Sequence, residues 1–115
     1  MNLSSIHHRL TFAPTMAWSE DDLRGPEGED WRVPVAELQY RQKALSSALI
    51  EAGLSGALIQ NPVDLYYFAG GRQNASLFIP ADEDARPVQY VRRSLRRAKW
   101  EAGADDSPHD VTAFP

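Results

Sequence analysis

The sequence contains no cysteine among its 115 residues. Disulfide cross-links, thiolate catalysis and cysteine-based zinc sites are therefore excluded. Long apolar runs are also absent, because no stretch approaches the roughly 18–20 apolar residues of a membrane-spanning helix. Residues 1–9 are not followed by the apolar segment of a secretory signal. We therefore expect a cytoplasmic protein that does not bind membranes.

Positive charge and histidine are both scarce. Lys and Arg number 12 against 16 Asp and Glu, and the formal net charge of −4 argues against a protein built mainly to hold nucleic acid. The histidines, His7, His8 and His109, form no ligand pair at helical spacing. We expect no metal site in this chain and a surface or arm position for these histidines.

Nucleophile and phosphate-binding motifs are also missing. Leu54-Ser55-Gly56 has the composition of a helix-to-strand turn and not of a nucleophile elbow. Gly70-Gly71-Arg72 lacks the Lys-Ser/Thr partner of a phosphate loop. We therefore predict no catalytic residue and no cofactor in this chain.

Residues 1–33 differ from the rest of the chain. They are rich in acidic residues, and the breaker cluster at 25–28 interrupts any periodic pattern. This segment is interpreted as a partly ordered acidic arm, with partner docking as the alternative. The chain therefore divides into the arm, 1–33, and a folded domain, 34–115.

From Pro34 onward the apolar pattern is regular. A first helix ends at Gly53, and its inner face is predicted to comprise Leu38, Leu45, Leu49 and Ala52. Apolar runs at 56–60, 76–79, 87–91 and 111–114 predict strands, the middle two as a hairpin. Residues 61–70 are expected to form a single apolar turn. Residues 94–102 predict a second helix, with Val91, Leu95, Ala98 and Ala102 on its inner side. The predicted fold is α/β, with a mixed sheet flanked by helices.

Two groups of side chains have both a structural and a functional interpretation. The basic group, Arg92, Arg93, Arg96, Arg97 and Lys99, either grips phosphate or forms a solvated or subunit-contacting helix face relieved by Glu101. Trp100 is expected to be covered by the guanidinium of Arg96. In the second group, Asp64 is expected to cap backbone donors, while Tyr66 and Tyr67 bury their rings and keep their hydroxyls wet.

The order of these motifs resembles the amino-terminal domain of the creatinase, prolidase and Xaa-Pro aminopeptidase family. In the first half of the domain, Arg41, Leu45, Leu49, Ala52-Gly53-Leu54 and Gly56-Ala57-Leu58-Ile59 match the family's helix and first strand. The following signature is matched by Pro62, Leu65, Tyr66, Tyr67, Phe68 and Gly70. Asp64 stands where Asn is usual, and Ala69 where Thr is usual.

The resemblance implies a non-catalytic domain with a ribonuclease H-like motif. The family's domain continues beyond the point matching Pro115, so the chain is expected to be truncated at its C-terminus. In the family, a catalytic domain on the same polypeptide follows and binds two divalent metals, Mn or Co. The resemblance also implies a homodimer and short proline-containing peptides as substrates.

The resemblance further implies where a substrate passes. In the family, the loop after the glycine pair approaches the active-site mouth, so Arg72, Gln73 and Asn74 are predicted to be substrate-access residues. Arg72 could attract a substrate carboxylate by bidentate contact. Pro62, Asp64, Tyr66, Tyr67 and Gly70 are interpreted as the structural signature that aims this loop.

Two alternatives stay open at the level of the sequence. The first is a stand-alone binding module with the same fold that uses the basic residues 92–99 or the acidic arm. The second is an α/β domain that binds nucleic acid through the same basic residues.

Overall fold

A computed structural model describes residues 28–71 and 73–115. The chain divides into two compact units, Met1–Trp31 and Arg32–Pro115, and the described helices and strands belong to the second. In chain order they are α1 (Val35–Glu51), β1 (Gly56–Ile59), α2 (Pro62–Ala69), β2 (Ala75–Pro80), β3 (Val88–Val91), α3 (Leu95–Glu101), a 3-10 turn (Ala104–Asp106) and β4 (Asp110–Ala113). The predicted division at residues 33 and 34 stays a prediction.

The strands form one mixed sheet in the order β1-β2-β3-β4. Strand β2 is antiparallel to both β1 and β3, whereas β3 and β4 are parallel. A parallel pair needs a crossover connection, and helix α3 with the 3-10 turn provides it. The predicted α/β fold with a mixed sheet is therefore confirmed, as is the predicted hairpin.

The three helices of the described region pack on the same face of the sheet. One apolar cluster joins helix α2 to strands β1 and β2, and a second joins helix α3 to strands β2 and β3. The first comprises Ile59, Leu65, Ala69, Leu77 and Ile79, and the second Ala75, Val91 and Ala98. Leu45 of helix α1 packs against the first cluster. Because side chains alternate along a strand, the cross-strand partners Leu58 and Phe78 lie on the opposite face.

Helix α1 buries a face that is half polar. Its buried residues are Leu38, Gln42, Ser46 and Leu49. The predicted inner position of Ala52 is wrong, because Ala52 is exposed just beyond the end of the helix. Apolar periodicity missed Gln42 and Ser46, since both are polar. Ser46 is accommodated because its hydroxyl donates to the carbonyl oxygen of Pro80 at 2.9 Å.

Gln42 belongs to a buried polar network that links helix α1 to the sheet. Its Nε2 donates to the carbonyl oxygen of Phe68 at 2.8 Å and lies 2.9 Å from Nδ1 of His109. On the other side of the imidazole, Nε2 of His109 lies 3.0 Å from Oε1 of Gln89 in strand β3. The surface position predicted for His109 is therefore wrong, because the residue is 1% exposed.

The network fixes the protonation state of His109. Both hydrogens of the Gln42 amide are used, so Nδ1 of His109 accepts and Nε2 carries the proton donated to Gln89. Burial is the main cause that lowers the pKa of His109 to about 4, and the positive charge of Arg86 adds to it. The carboxylate of Asp110 acts in the opposite direction. His109 is therefore neutral near pH 7.

Acidification should destabilise the protein through His109. In the unfolded chain the imidazole titrates near its ordinary pKa of 6.5, whereas in the folded chain this pKa is about 4. The unfolded chain therefore binds the proton first as the pH falls. The stability associated with neutral His109 is complete above pH 6.5 and is lost on falling to pH 4. We expect the free energy of unfolding to fall by roughly 3 kcal/mol over this range.

Urea denaturation across this pH range measures the loss, with His109→Gln as the comparison. Other titrating groups are present in both proteins, so the stability difference between them should shrink as the pH falls. A difference independent of pH would contradict the role of His109. Imidazole nitrogen shifts measured by NMR should separately show a neutral ring protonated at Nε2 at pH 6.

Replacing Gln42 should cost stability even when its volume is preserved. Gln42→Met leaves the carbonyl oxygen of Phe68 and Nδ1 of His109 without their donor. We expect the free energy of unfolding at neutral pH to fall by about 2–4 kcal/mol. Gln39→Met, an exposed position on the same helix, is the matched control and should have little effect. Equal effects of the two substitutions would show that the network contributes nothing.

Candidate functional site

Residues 61–74 form a short helix followed by a tightly packed loop. Oδ1 of Asn61 accepts from the backbone N–H of Val63 at 2.9 Å, and Pro62 occupies the start of helix α2. Gly70 ends the helix with φ of 83°, a left-handed conformation that favours glycine. The single turn predicted for 61–70 is therefore wrong, because these signals enclose an α-helix of eight residues.

The residues of helix α2 divide between the core and the surface. Leu65 and Ala69 are buried, whereas Tyr66 and Tyr67 are 40% and 47% exposed. Asn61, and not Asp64 as predicted, provides the side-chain cap. Asp64 is exposed in the first turn, where a negative charge is favourable to the helix dipole.

Helix α1 supplies donors to the C-terminal end of helix α2. Nη1 of Arg41 donates to the carbonyl oxygen of Tyr67 at 3.0 Å, and Gln42 donates to that of Phe68. The Arg41 guanidinium also lies 4.2 Å from the centre of the Tyr67 ring, and its Nε pairs with Glu37 at 3.0 Å. Carbonyl groups at a helix end lack partners within the helix, so these contacts fix α2 on α1. Arg41 therefore has a structural task.

The glycine pair lies against the last residue of helix α3. A Cβ atom on Gly70 would lie 2.8 Å from the carbonyl oxygen of Glu101, and one on Gly71 would lie 2.9 Å from Glu101 Oε1. Both separations are shorter than real Cβ contacts. At position 70 the obstacle is the backbone of α3, so the close approach there requires glycine, whereas at position 71 the nearest atom is the end of the flexible Glu101 side chain.

The predicted access residues come directly after the glycine pair in the sequence. Nε2 of Gln73 donates to Oε1 of Glu101 at 3.0 Å. Asn74 is exposed, and its carbonyl oxygen accepts from the backbone N–H of Arg92 at 2.9 Å. Arg72 lies outside the described residues, so its role as a substrate-side residue stays a prediction. The sequence offers no signal for the Gln73–Glu101 contact, because the two residues are 28 positions apart.

The basic group lies on the outside of the domain. Its five side chains are exposed: Arg92, Arg93, Arg96, Arg97 and Lys99. The Nε atom of Arg97 lies 3.7 Å from Oε2 of Glu101, and the Arg92 guanidinium covers the Phe114 ring at 4.2 Å. The Trp100 ring is covered by Arg32 at 4.4 Å, a partner that the sequence did not indicate.

The potential metal ligands of the described residues are dispersed. Within 28–71 and 73–115, no three His, Asp or Glu side chains are grouped so that they could hold a metal ion. Nor does any helix in these ranges have the length and apolarity needed to cross a membrane. His109, whose pKa is strongly lowered, lies between the side chains of Gln42 and Gln89. The described residues of this site therefore show a loop held by a hydrogen bond to helix α3.

Comparison with solved structures gives two similar chains. The dipeptidase PepE from Mycobacterium ulcerans is 27% identical, with a TM-score of 0.60 over 72% of this chain and 23% of the dipeptidase. The creatinase/prolidase-like N-terminal domain of a predicted metallopeptidase from Corynebacterium diphtheriae is 20% identical, with a TM-score of 0.52 over 68% of this chain and 59% of that domain structure. The chain thus spans less than a quarter of the dipeptidase.

A family model supplies the sequence evidence. A comparison with curated proteins gave no match. The model of the creatinase/prolidase N-terminal domain matches residues 41–113, which include the described strands, helices α2 and α3, and most of helix α1. Because this match covers more than half of the chain, the protein belongs to the creatinase/prolidase N-terminal domain family.

Proposed function

We propose that this chain is the non-catalytic N-terminal domain of a metal-dependent Xaa-Pro peptidase. The observation that carries the proposal is the family match over residues 41–113. The similarity to a dipeptidase, of which the chain covers 23%, supports a peptidase as the whole protein. In this proposal the catalytic domain lies on the same polypeptide and holds two divalent metals, Mn or Co.

The task of the domain is to shape substrate access. The loop after α2 is attached to α3 by Gln73, and its neighbour Asn74 is exposed. A loop held in this way can border an active-site entrance at a defined position. Short peptides with proline second are the proposed substrates, and a carboxylate of the peptide is the group that Arg72 would contact.

The 115-residue chain should not hydrolyse Xaa-Pro dipeptides. It should remain inactive with Mn or Co, whereas the product of the complete reading frame should be active and should lose activity when the metal is chelated. Gly-Pro and Gly-Ala peptides, assayed in parallel, separate Xaa-Pro specificity from general dipeptidase activity. Hydrolysis by the 115-residue chain alone would contradict the non-catalytic assignment. Inactivity of the complete protein on all peptides would contradict the peptidase itself.

The domain is also proposed to contribute to a homodimer. Leu58 and Phe78 are paired across strands on the face opposite the helices and are 60% and 41% exposed. The Phe78 ring lies over Gly56, since a Cβ there would lie 2.6 Å from its Cζ. An exposed apolar pair on adjacent strands is suited to contact a second copy.

Sedimentation velocity tests the dimer. We expect the chain to dimerise and Leu58→Glu to shift it towards monomer, because the substitution places a charge in an apolar contact. Val63→Glu is the matched control, since Val63 is 76% exposed on helix α2, and it should leave the dimer unchanged. A monomeric parent chain, or a dimer insensitive to Leu58→Glu, would rule out this face.

A further inference from the structure

Glu101 is the residue at which helix α3 meets the loop. Its two carboxylate oxygens serve different partners: Oε1 accepts from Gln73 at 3.0 Å, and Oε2 lies 3.7 Å from Arg97 Nε. The Glu101 side chain is 15% exposed, against 45% for Arg97. The Gln73 contact is within hydrogen-bond distance, whereas the Arg97 separation is too long for a hydrogen bond and involves a more exposed cation, so Gln73 is the better-held partner.

The position of Glu101 is poor for the helix itself. A negative charge at the last residue of α3 is unfavourable to the helix dipole. An Arg four residues before a Glu is also the weaker orientation of an i,i+4 pair. The local helix therefore gives little reason for an acid at 101, and the loop gives a specific one.

The loop that follows helix α2 is held by residues near both ends of helix α3. We define the access loop as the described residues Gly71, Gln73 and Asn74. The carbonyl oxygen of Asn74 accepts from the N–H of Arg92, three residues before α3 begins. Gln73 donates to Glu101, the last residue of α3, and Gly71 lies so near that an added Cβ would be 2.9 Å from Glu101 Oε1. Of these contacts, the Gln73–Glu101 bond is the one made between side chains.

We propose that Glu101 is a positioning residue that sets the place of the access loop at the substrate entrance. The proposal rests on the proposed function, in which this loop borders the path of the peptide. Glu101 itself does not contact substrate in this scheme. It acts through its hydrogen bond to Gln73, and it thereby fixes the polar groups that an incoming peptide meets.

Removing the carboxylate should loosen the loop without unfolding the domain. In Glu101→Ala, backbone 15N order parameters of Gln73 and Asn74 should fall. Exchange of the Arg92 amide, which binds Asn74, should accelerate by about tenfold, as expected from loss of one charged hydrogen bond. Exchange of the Leu77 amide, in the middle of β2, should stay the same. Glu51→Ala is the matched control, because Glu51 is the exposed last residue of helix α1.

A second set of variants separates the hydrogen bond from general effects of the substitution. Glu101→Gln keeps an acceptor oxygen for Gln73 but loses the charge opposite Arg97, so loop order should stay near that of the parent chain. Gln73→Ala should loosen the loop as Glu101→Ala does, and combining them should add little. Unchanged loop order in Glu101→Ala, or fully additive effects in the double variant, would overturn the proposal.

Kinetics of the complete reading-frame product test the consequence for substrate. Glu101→Ala should raise KM severalfold while kcat changes less than twofold, because binding is altered and the reacting groups are not. Glu101→Gln should leave KM near that of the parent protein. A looser loop with an unchanged KM would overturn the substrate role of Glu101. If the complete protein hydrolyses no peptide, the proposed function fails, and the relaxation measurements alone decide whether Glu101 positions the loop.

Discussion

The carbonyl groups at the C-terminal end of helix α2 must find partners where the chain turns into the loop. A helix of eight residues satisfies few of its own end groups, and Gly70 returns only one bond, to Tyr66. Adjacent residues of helix α1, Arg41 and Gln42, supply the donors for the next two carbonyl groups. The placement of α2 on α1, and hence the direction in which the loop leaves, depends on this pair.

Gln42 extends the same constraint into the sheet. Its amide joins the end of α2 to His109, and His109 joins it to Gln89 in β3. A neutral imidazole suits this position because it accepts on one side and donates on the other. Protonation of His109 would place an N–H donor against the Gln42 amide donor. The contacts at the end of α2 would therefore be weakened together with those in the sheet. The buried polar network therefore reaches the C-terminal end of helix α2, the element from which the loop leaves.

The sequence predicted the parts of the fold that depend on local periodicity and chain reversal. Gly53 and Gly103 end their helices with positive φ, as their positions after apolar stripes indicated. The strands around Leu77 and Val91 were predicted from short apolar runs. Helix α2 was predicted only as a single turn, because the apolar residues between Asn61 and Gly70 show no clear period. Asn61, Pro62 and Gly70 are nevertheless ordinary helix start and stop signals.

The site was less predictable, because its contacts join distant parts of the chain. Gln42 and His109 are 67 positions apart, and a glutamine within an apolar stripe gives no sign that it is buried. Glu101 was interpreted as relief for the basic group, and its bond to Gln73 has no counterpart in local spacing.

These contacts separate the residues that place helix α2 from those that place the loop. Residues on which the sequence resemblance rests, such as Arg41, Pro62 and Gly70, determine where α2 begins, ends and rests. Residues that define the loop's position, Gln73 and Glu101, lie outside that signature. A domain built in this way can keep its fold while the loop varies, since changing the loop disturbs neither the caps of α2 nor the network at His109.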